Sequence, residues 1–298
     1  VPERKVVLDE AGRVQAVLPR PRLDSHRLIE EFMIAANVAA AEELERQRAP
    51  CMYRVHDRPA DSKLEGLRQL LASFDLSLPP ADLLKPRHFS ALLARVRGRP
   101  EERLVNEAVL RAQSQAAYSP DNIGHFGLAL PRYAHFTSPI RRYADLLVHR
   151  ALIAALGLGR DGLTPAEIAR FPDTAEHISE TERRAAAAER DAVDRYLASY
   201  LEARIGAIFS ARISGVTRFG LFVSLEETGA SGLVPLGSLP DDKWHYDETA
   251  QRIIGRSSGL SFTLGQSVEV RLIEANGITG GLIFHLLGLQ RGRRGGQR

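Results

Sequence analysis

Near Gly206 the hydrophobic period of the chain changes, and this switch constrains the architecture more than any other feature of the sequence. From there to Gln290, short apolar runs are separated by glycine: Ala207–Val216, Leu221–Leu225, Gly232–Leu236, Ser267–Glu274 and Leu282–Leu287. Five such strands in about 85 residues suit a small Greek-key barrel of the OB type. The insertion at 239–259, between the third and fourth strands, is expected to be an irregular and helical connection.

Before the switch the period is helical, after a short extended start. Lys5-Val6-Val7-Leu8 and Arg13–Leu18 flank an Asp9-Glu10-Ala11-Gly12 turn, which predicts a hairpin. A hairpin alone is marginal, so it needs partners, and the chain reads as beginning in mid-domain. Leu23-Asp24-Ser25 opens a helix with Leu28, Phe32, Ala35, Ala36 and Ala39 on one stripe. Ser62-Lys63-Leu64-Glu65 reads as a capping box ahead of Leu64, Leu67, Leu70, Leu71 and Phe74. Further helices are expected at about 87–97 and 101–117. Thr164-Pro165-Ala166-Glu167 is a second capping box, and the longest helix runs from about Thr174 to Arg204. Its Glu189-Arg190-Asp191 cluster reads as a solvated or interdomain face rather than a site.

Charge and cysteine content narrow the setting. The net charge is +3, but Arg291, Arg293, Arg294 and Arg298 of the tail contribute +4, which leaves −1 for residues 1–290. Polyanion binding therefore has to come from local patches or from the tail, not from the global field. No apolar run approaches the ~20 residues that span a bilayer, which predicts no membrane association. The sole cysteine, Cys51, has no disulfide partner in the chain, so a reducing cytoplasm is the expected location.

The most chemically loaded stretch is His135-Phe136-Thr137-Ser138-Pro139-Ile140-Arg141-Arg142-Tyr143-Ala144-Asp145. Ser138 suits an N-cap and Pro139 a first helical position, which predicts a helix from there to about Leu156. Arg141 and Arg142 would then sit against the positive end of the helix dipole. That placement is tolerable if a polyanion neutralises them, and guanidinium forks hold phosphate oxygens bidentately. The alternative is internal pairing at helical spacing, Arg141 with Asp145 and Asp145 with His149.

The string HFTSPIRRYADLLVHR at 135–150 is similar to the signature of the RNB exoribonuclease family, the RNase II and RNase R enzymes. LDSHRLIEEFMIAANVAAAEEL (23–44), YRVHDRPADSKLEGLRQLL (53–71) and AAYSPDNIGHFGLALPRYAHFTSP (116–139) resemble consecutive blocks of the RNase R branch, in order and spacing. AERDAVDRYLASYLEARIG (188–206) then leads into what resembles an S1-type RNA-binding domain. The resemblance implies an α+β chain. Residues 1–205 would be the C-terminal portion of an RNB catalytic domain, mainly helical with a short β-hairpin. Residues 206–290 would be an all-β S1 barrel of OB fold, and 291–298 a basic Arg/Gly tail.

The implied reaction, in the intact enzyme, is processive 3′→5′ hydrolysis of single-stranded RNA to nucleoside 5′-monophosphates, with the protein a monomer. Arg141 would stabilise charge on the scissile phosphate, while Arg142, Tyr143 and Ser138 hold the backbone or the clamp. Tyr118, Asn122, His125 and Phe126 form a loop that would help line a narrow RNA channel, with Tyr118 and His135 in contact with the RNA. Glu30 and Glu31 fall where a glutamate would contact the terminal ribose. In the barrel, Phe219 and Phe222 are candidate stacking platforms beside Arg218, or one of them is core because strand alternation sends neighbours to opposite faces, with Arg212 and Lys243 as phosphate contacts. Many S1-type domains carry histidine where this chain has Pro235. Hydrolysis in the family relies on magnesium held by an aspartate cluster N-terminal to the matched region. No such cluster occurs here, since Asp241-Asp242 lies in the barrel insertion and Asp57 and Asp61 flank a proline loop. No metal ligand is therefore expected within the chain, and a fragment of this kind should be inactive alone. A reading from another class is a non-catalytic RNA-binding module that keeps clamp and barrel.

Overall fold

The structure, a computed structural model, describes residues 4–19, 23–99, 101–247 and 252–288. The basic tail at 291–298 lies outside the described residues. The chain divides into two compact units, residues 21–186 on one side and residues 187–298 with 1–20 on the other. No helix among the described residues is long and apolar enough to cross a membrane.

The expected hairpin is formed by β1 (Arg4–Leu8) and antiparallel β2 (Val14–Pro19). Asp9 organises its turn by accepting from the backbone N–H groups of Ala11 and Arg13 and from Arg13 Nε. Its need for a partner is met within its own unit, where Val17 packs against the barrel core.

Residues 21–186 hold, in order, α1 (Asp24–Arg46), β3 (Tyr53–Val55), α2 (Asp61–Ala72), α3 (Pro86–Val96), α4 (Glu102–Ala112), β4 (Ala117–Ser119), α5 (Tyr143–Leu156) and α6 (Pro165–Ala169). α7 (Phe171–Glu202) begins in this unit and continues beyond it. Two apolar cores result. One joins the C-terminal half of α1 to β3, β4, α5 and the start of α7 through Leu44, Met52, Leu147, Val148 and Phe171. Small Ala40, Ala41, Ala144 and Ala151 on α1 and α5 are buried in the same cluster. Burying a leucine such as Leu44 or Leu147 contributes about 1.5–3 kcal/mol before entropy is counted. The other core is formed by α2, α3 and α4 through Leu64, Leu67, Leu71, Phe89, Leu92 and Val105.

Four boundaries or faces differ from the sequence reading. α1 buries Asn37, Ala40, Ala41 and Leu44, one face round from the predicted stripe, and leaves Leu28 and Phe32 exposed. α2 starts at Asp61 with Ala60 as cap, so Ser62 lies inside the helix and no side chain caps it. α4 stops at Ala112 because Ala117–Ser119 is drawn into antiparallel pairing with Tyr53–Val55. α5 starts at Tyr143, not Pro139. Its C-terminus follows expectation, with Gly157 left-handed at φ 65° and its N–H on the Ile153 carbonyl. The Thr164–Glu167 capping box of α6 is formed with both reciprocal bonds.

After α7 the barrel closes as predicted from β5 (Ile208–Thr217), β6 (Gly220–Leu225), β7 (Ser231–Pro235), and two later strands. The described residues of the insertion form no helix. β8 (Trp244–Asp247), β9 (Arg252–Gly255) and β10 (Ser261–Thr263) form a small antiparallel sheet. Asp242 anchors it by accepting from the amides of Lys243, Ser257 and Ser258 and from Ser258 Oγ. Those donors hold its carboxyl far below the ordinary aspartate range. β11 (Ser267–Asn276) and β12 (Gly281–Leu286) complete the closed order β11-β12-β7-β6-β5. Phe209, Ile213, Leu221, Val223, Leu272 and Phe284 fill the interior together with Leu197 and Leu201 of α7.

Candidate nucleic-acid interface

The segment from His135 to Arg142 has no strand or helix partner for its backbone, and side chains take that role. Asn37 Oδ1 accepts from the Phe136 amide at 2.9 Å, and His149 Nε2 donates to the Phe136 carbonyl at 2.8 Å. The His149 ring also stacks on Phe136, with centroids 4.2 Å apart. Two residues on, the Ser138 amide donates to Asp145 Oδ1 at 2.8 Å. The Ser138 carbonyl in turn accepts from the amides of both Arg141 and Arg142 and closes a turn.

This turn explains why α5 starts late. Arg142 is extended, with φ −129° and ψ 117°, so helical geometry begins only after it. Asp145, in the first turn and fully buried, takes the Ser138 amide and two guanidinium bonds from Arg142 Nε and Nη2, each 2.8 Å. One carboxylate that satisfies three donors outcompetes a serine hydroxyl that would satisfy one. Asp145 does pair with an arginine, but the partner is Arg142 at three residues rather than Arg141 at four.

Arg141 is therefore left exposed at the tip, where its Nη2 makes a long 3.5 Å approach to Ser138 Oγ. Ile140 beside it is fully exposed, and Tyr143 is half exposed. The two arginines thus do different work: Arg142 is inside the scaffold, Arg141 outside it.

Beneath the turn lies a chain of ring contacts. His135 Nδ1 shares a 2.9 Å hydrogen bond with the Tyr118 hydroxyl, and Tyr133 lies edge-on to both His135 and His125. Burial pushes His135 down to about 3, and the charges of Arg142 and Arg54 push the same way. The imidazole is thus neutral and Nδ1 accepts the Tyr118 proton. Burial raises the Tyr118 phenol, which keeps it a donor. The Tyr118 ring sits 4.7 Å below the Arg54 guanidinium, which is held by two bonds of 2.6 and 2.9 Å to Glu182. Only 7% exposed, Tyr118 is placed as internal support for His135 instead of on the surface.

The remainder of the predicted channel loop is also tied down. Asn122 donates to Glu45 and to the Pro131 carbonyl while its Oδ1 accepts from Gly124. His125 stacks on His56 at 5.0 Å and is pushed down to about 4 by burial, and Phe126 packs edge-on against Phe89. Glu30 and Glu31 lie in the exposed first turns of α1. Asn37, Arg54, His56 and Glu182 were not singled out from the sequence. Asn37 alone left a signal, as a lone amide among alanines.

On the barrel, Phe219 is 65% exposed in the turn after β5, and Phe222 is 42% exposed on the outer face of β6. Neither ring is core. The Arg218 guanidinium lies 4.7 Å over the Phe219 ring, so cation and aromatic form one platform. Gly220 between them has φ 147°, and a Cβ there would meet the Val234 carbonyl at 2.2 Å, so β7 passes too close for any side chain. Lys243 is exposed, but Arg212 is already paired with Glu226 at 3.0 Å.

Acidic groups near the turn are committed: Asp145 to Arg142, Glu182 to Arg54, Glu45 to Arg132. Among the described residues no group of three or more His, Cys, Asp or Glu is placed to hold a metal ion. These residues do not fit a magnesium site.

A five-stranded barrel with this platform, after a mixed unit that presents one arginine on a side-chain-locked turn, is the arrangement of an RNB domain followed by an S1 domain. A sequence profile for the RNB domain matches residues 1–157, and one for the S1 RNA binding domain matches residues 202–285. The chain belongs to the RNB family. It is 44% identical over 273 residues to Ribonuclease R of Aquifex aeolicus, covering 92% of this chain and 39% of that protein. With Ribonuclease R of Escherichia coli it shares 38% identity over 300 residues, covering 98% of this chain and 37% of the relative. The fold matches Mycoplasma genitalium RNase R, solved in complex with ribose-methylated single-stranded RNA, with a TM-score of 0.90 at 28% identity. That match covers 96% of this chain and 45% of the other. The chain thus spans well under half the length of the relatives it matches.

Proposed function

We propose that this chain is the RNA-holding portion of an RNase R-like enzyme that degrades single-stranded RNA processively from the 3′ end to nucleoside 5′-monophosphates. The observation that carries the reading is the presentation of Arg141, exposed at the tip of a turn closed on the Ser138 carbonyl and braced by Asp145 through the Ser138 amide and the Arg142 guanidinium. A planar fork presented from a braced turn, with its guanidinium largely uncommitted inside the protein, meets phosphate charge that grows during hydrolysis. Ser138, Arg142 and Tyr143 frame that tip, His135 and Tyr118 support it from beneath, and Glu31 is assigned to the terminal ribose. Phe219, Phe222 and Arg218 hold incoming single strand by stacking and by charge, without base specificity. Magnesium, in the intact enzyme, is assigned to residues outside this chain. We place the protein in the cytoplasm as a monomer; the buried Cys51 thiol, raised well above its ordinary range, is inert there.

The test is to give the intact enzyme and magnesium a 5′-labelled single-stranded RNA. Stepwise shortening from the 3′ end with release of 5′-mononucleotides supports the reading. RNA bound tightly and left whole would instead support a non-catalytic RNA-binding module.

A further inference from the structure

We propose that Asp145 is a positioning residue for Arg141, acting through Arg142 and the Ser138 amide; the inference rests on the activity proposed above. The stretch that presents Arg141 is held almost entirely by side chains. Asn37 and His149 grip Phe136 by its amide and carbonyl, and Asp145 grips Ser138. Asp145 and His149 are four residues apart on α5, so one face of a single helix sets the register of the whole segment. Of the three, Asp145 alone reaches both ends of the turn. Its Oδ1 takes the Ser138 amide and Arg142 Nη2, and its Oδ2 takes Arg142 Nε.

The geometry makes the two arginines a lock and a tool. Arg142, with its side chain 20% exposed, commits the Nε–Nη2 edge of its guanidinium to Asp145, and its backbone amide closes the turn on the Ser138 carbonyl. Arg141 lies between those two anchored residues and can move only as far as the turn allows. Fixing a catalytic group in place ahead of reaction lowers the barrier, and a shift of about 1 Å costs on the order of 10²-fold. Asp145→Asn would keep the volume but lose the charge and at least one of three acceptor contacts. The turn would then open, and Arg141 would sample positions that miss the phosphate.

Two readings test this. In the isolated chain, amide hydrogen exchange at Ser138 in Asp145→Asn should accelerate at least 10-fold, with Leu147 and Val148 in mid-helix unchanged. In the intact enzyme, single-turnover cleavage of prebound RNA should fall at least 10-fold in Asp145→Asn, with RNA affinity changed less than 3-fold. In an Arg141→Ala background the same substitution should change the rate less than 3-fold, because the group it positions is gone. A loss of equal size in both backgrounds overturns the proposal, as does a parental rate in Asp145→Asn. Arg142→Gln cuts the lock from its more accessible side and should give the same pattern; it decides the matter if Asp145→Asn does not fold. Absence of cleavage by the parent enzyme would refute the proposed activity instead, and an unchanged Ser138 amide would still refute the lock.

Discussion

Lowering the pH should weaken the unit that carries the arginine turn, and His135 sets the amount. Its ring is pushed down to about 3 in the fold, against about 6.5 in an unfolded chain. Between those values the unfolded state binds a proton that the folded state refuses, so stability is retained above pH 6.5 and declines as pH falls below it. At pH 5 the gap amounts to about 1.5 pH units, or about 2 kcal/mol, which partial exposure of the ring trims to about 1–2 kcal/mol. Protonation also removes the acceptor for the Tyr118 hydroxyl. His125, pushed down to about 4 by burial, adds a comparable loss of the same sign, present in parent and variant alike. His135→Gln offers an uncharged acceptor to Tyr118 and removes the titration. Urea unfolding at pH 7, 6 and 5, followed by far-ultraviolet circular dichroism, reports mainly on the helices, which are concentrated in this unit. With a slope of about 2–3 kcal/mol per molar, the parental midpoint should drop about half a molar more than the variant's between pH 7 and pH 5. Parallel pH dependences in parent and variant would refute the neutral-imidazole account.

Two further outcomes follow from the barrel and from the acidic groups. Phe219→Ala and Phe222→Ala should each weaken single-stranded RNA binding by about 1–3 kcal/mol, with affinity falling as salt rises, in a titration by fluorescence anisotropy. Unchanged affinity in a folded double variant would remove both rings from the interface. The isolated chain should bind labelled RNA yet release no mononucleotides in magnesium; stepwise product release by it would show that the acidic groups needed for hydrolysis are present here after all.

The barrel was legible because its signals are local. Strand alternation and glycine punctuation repeat every few residues, and all five predicted strands occur within about two residues of their expected ends. The insertion failed for the opposite reason: the sheet there is organised by Asp242 reaching Ser257 and Ser258, a contact across sequence that no local pattern announces. At the candidate site, the residue types in 135–145 were visible but their division of labour was not. Helix spacing pointed to Arg141 and Asp145, whereas the extended Arg142 shifted the helix start and exchanged the two arginines. Arg54 and Glu182, 128 residues apart, are brought together by tertiary packing alone. The exposed Leu28 and Phe32 show the limit of periodicity, which marks an apolar face without saying what covers it.

The central claim is that Arg141 meets charge developing on the scissile phosphate while Arg142 serves the scaffold. Single-turnover cleavage by the intact enzyme, with RNA already bound, tests it most directly. Arg141→Ala should slow the bound complex by about 10²-fold or more with little change in RNA affinity, and Arg141→Lys should recover only part of the rate, because an ammonium keeps the charge without the fork. Cleavage by Arg141→Ala at the parental rate would contradict the account and leave the exposed guanidinium without a catalytic role.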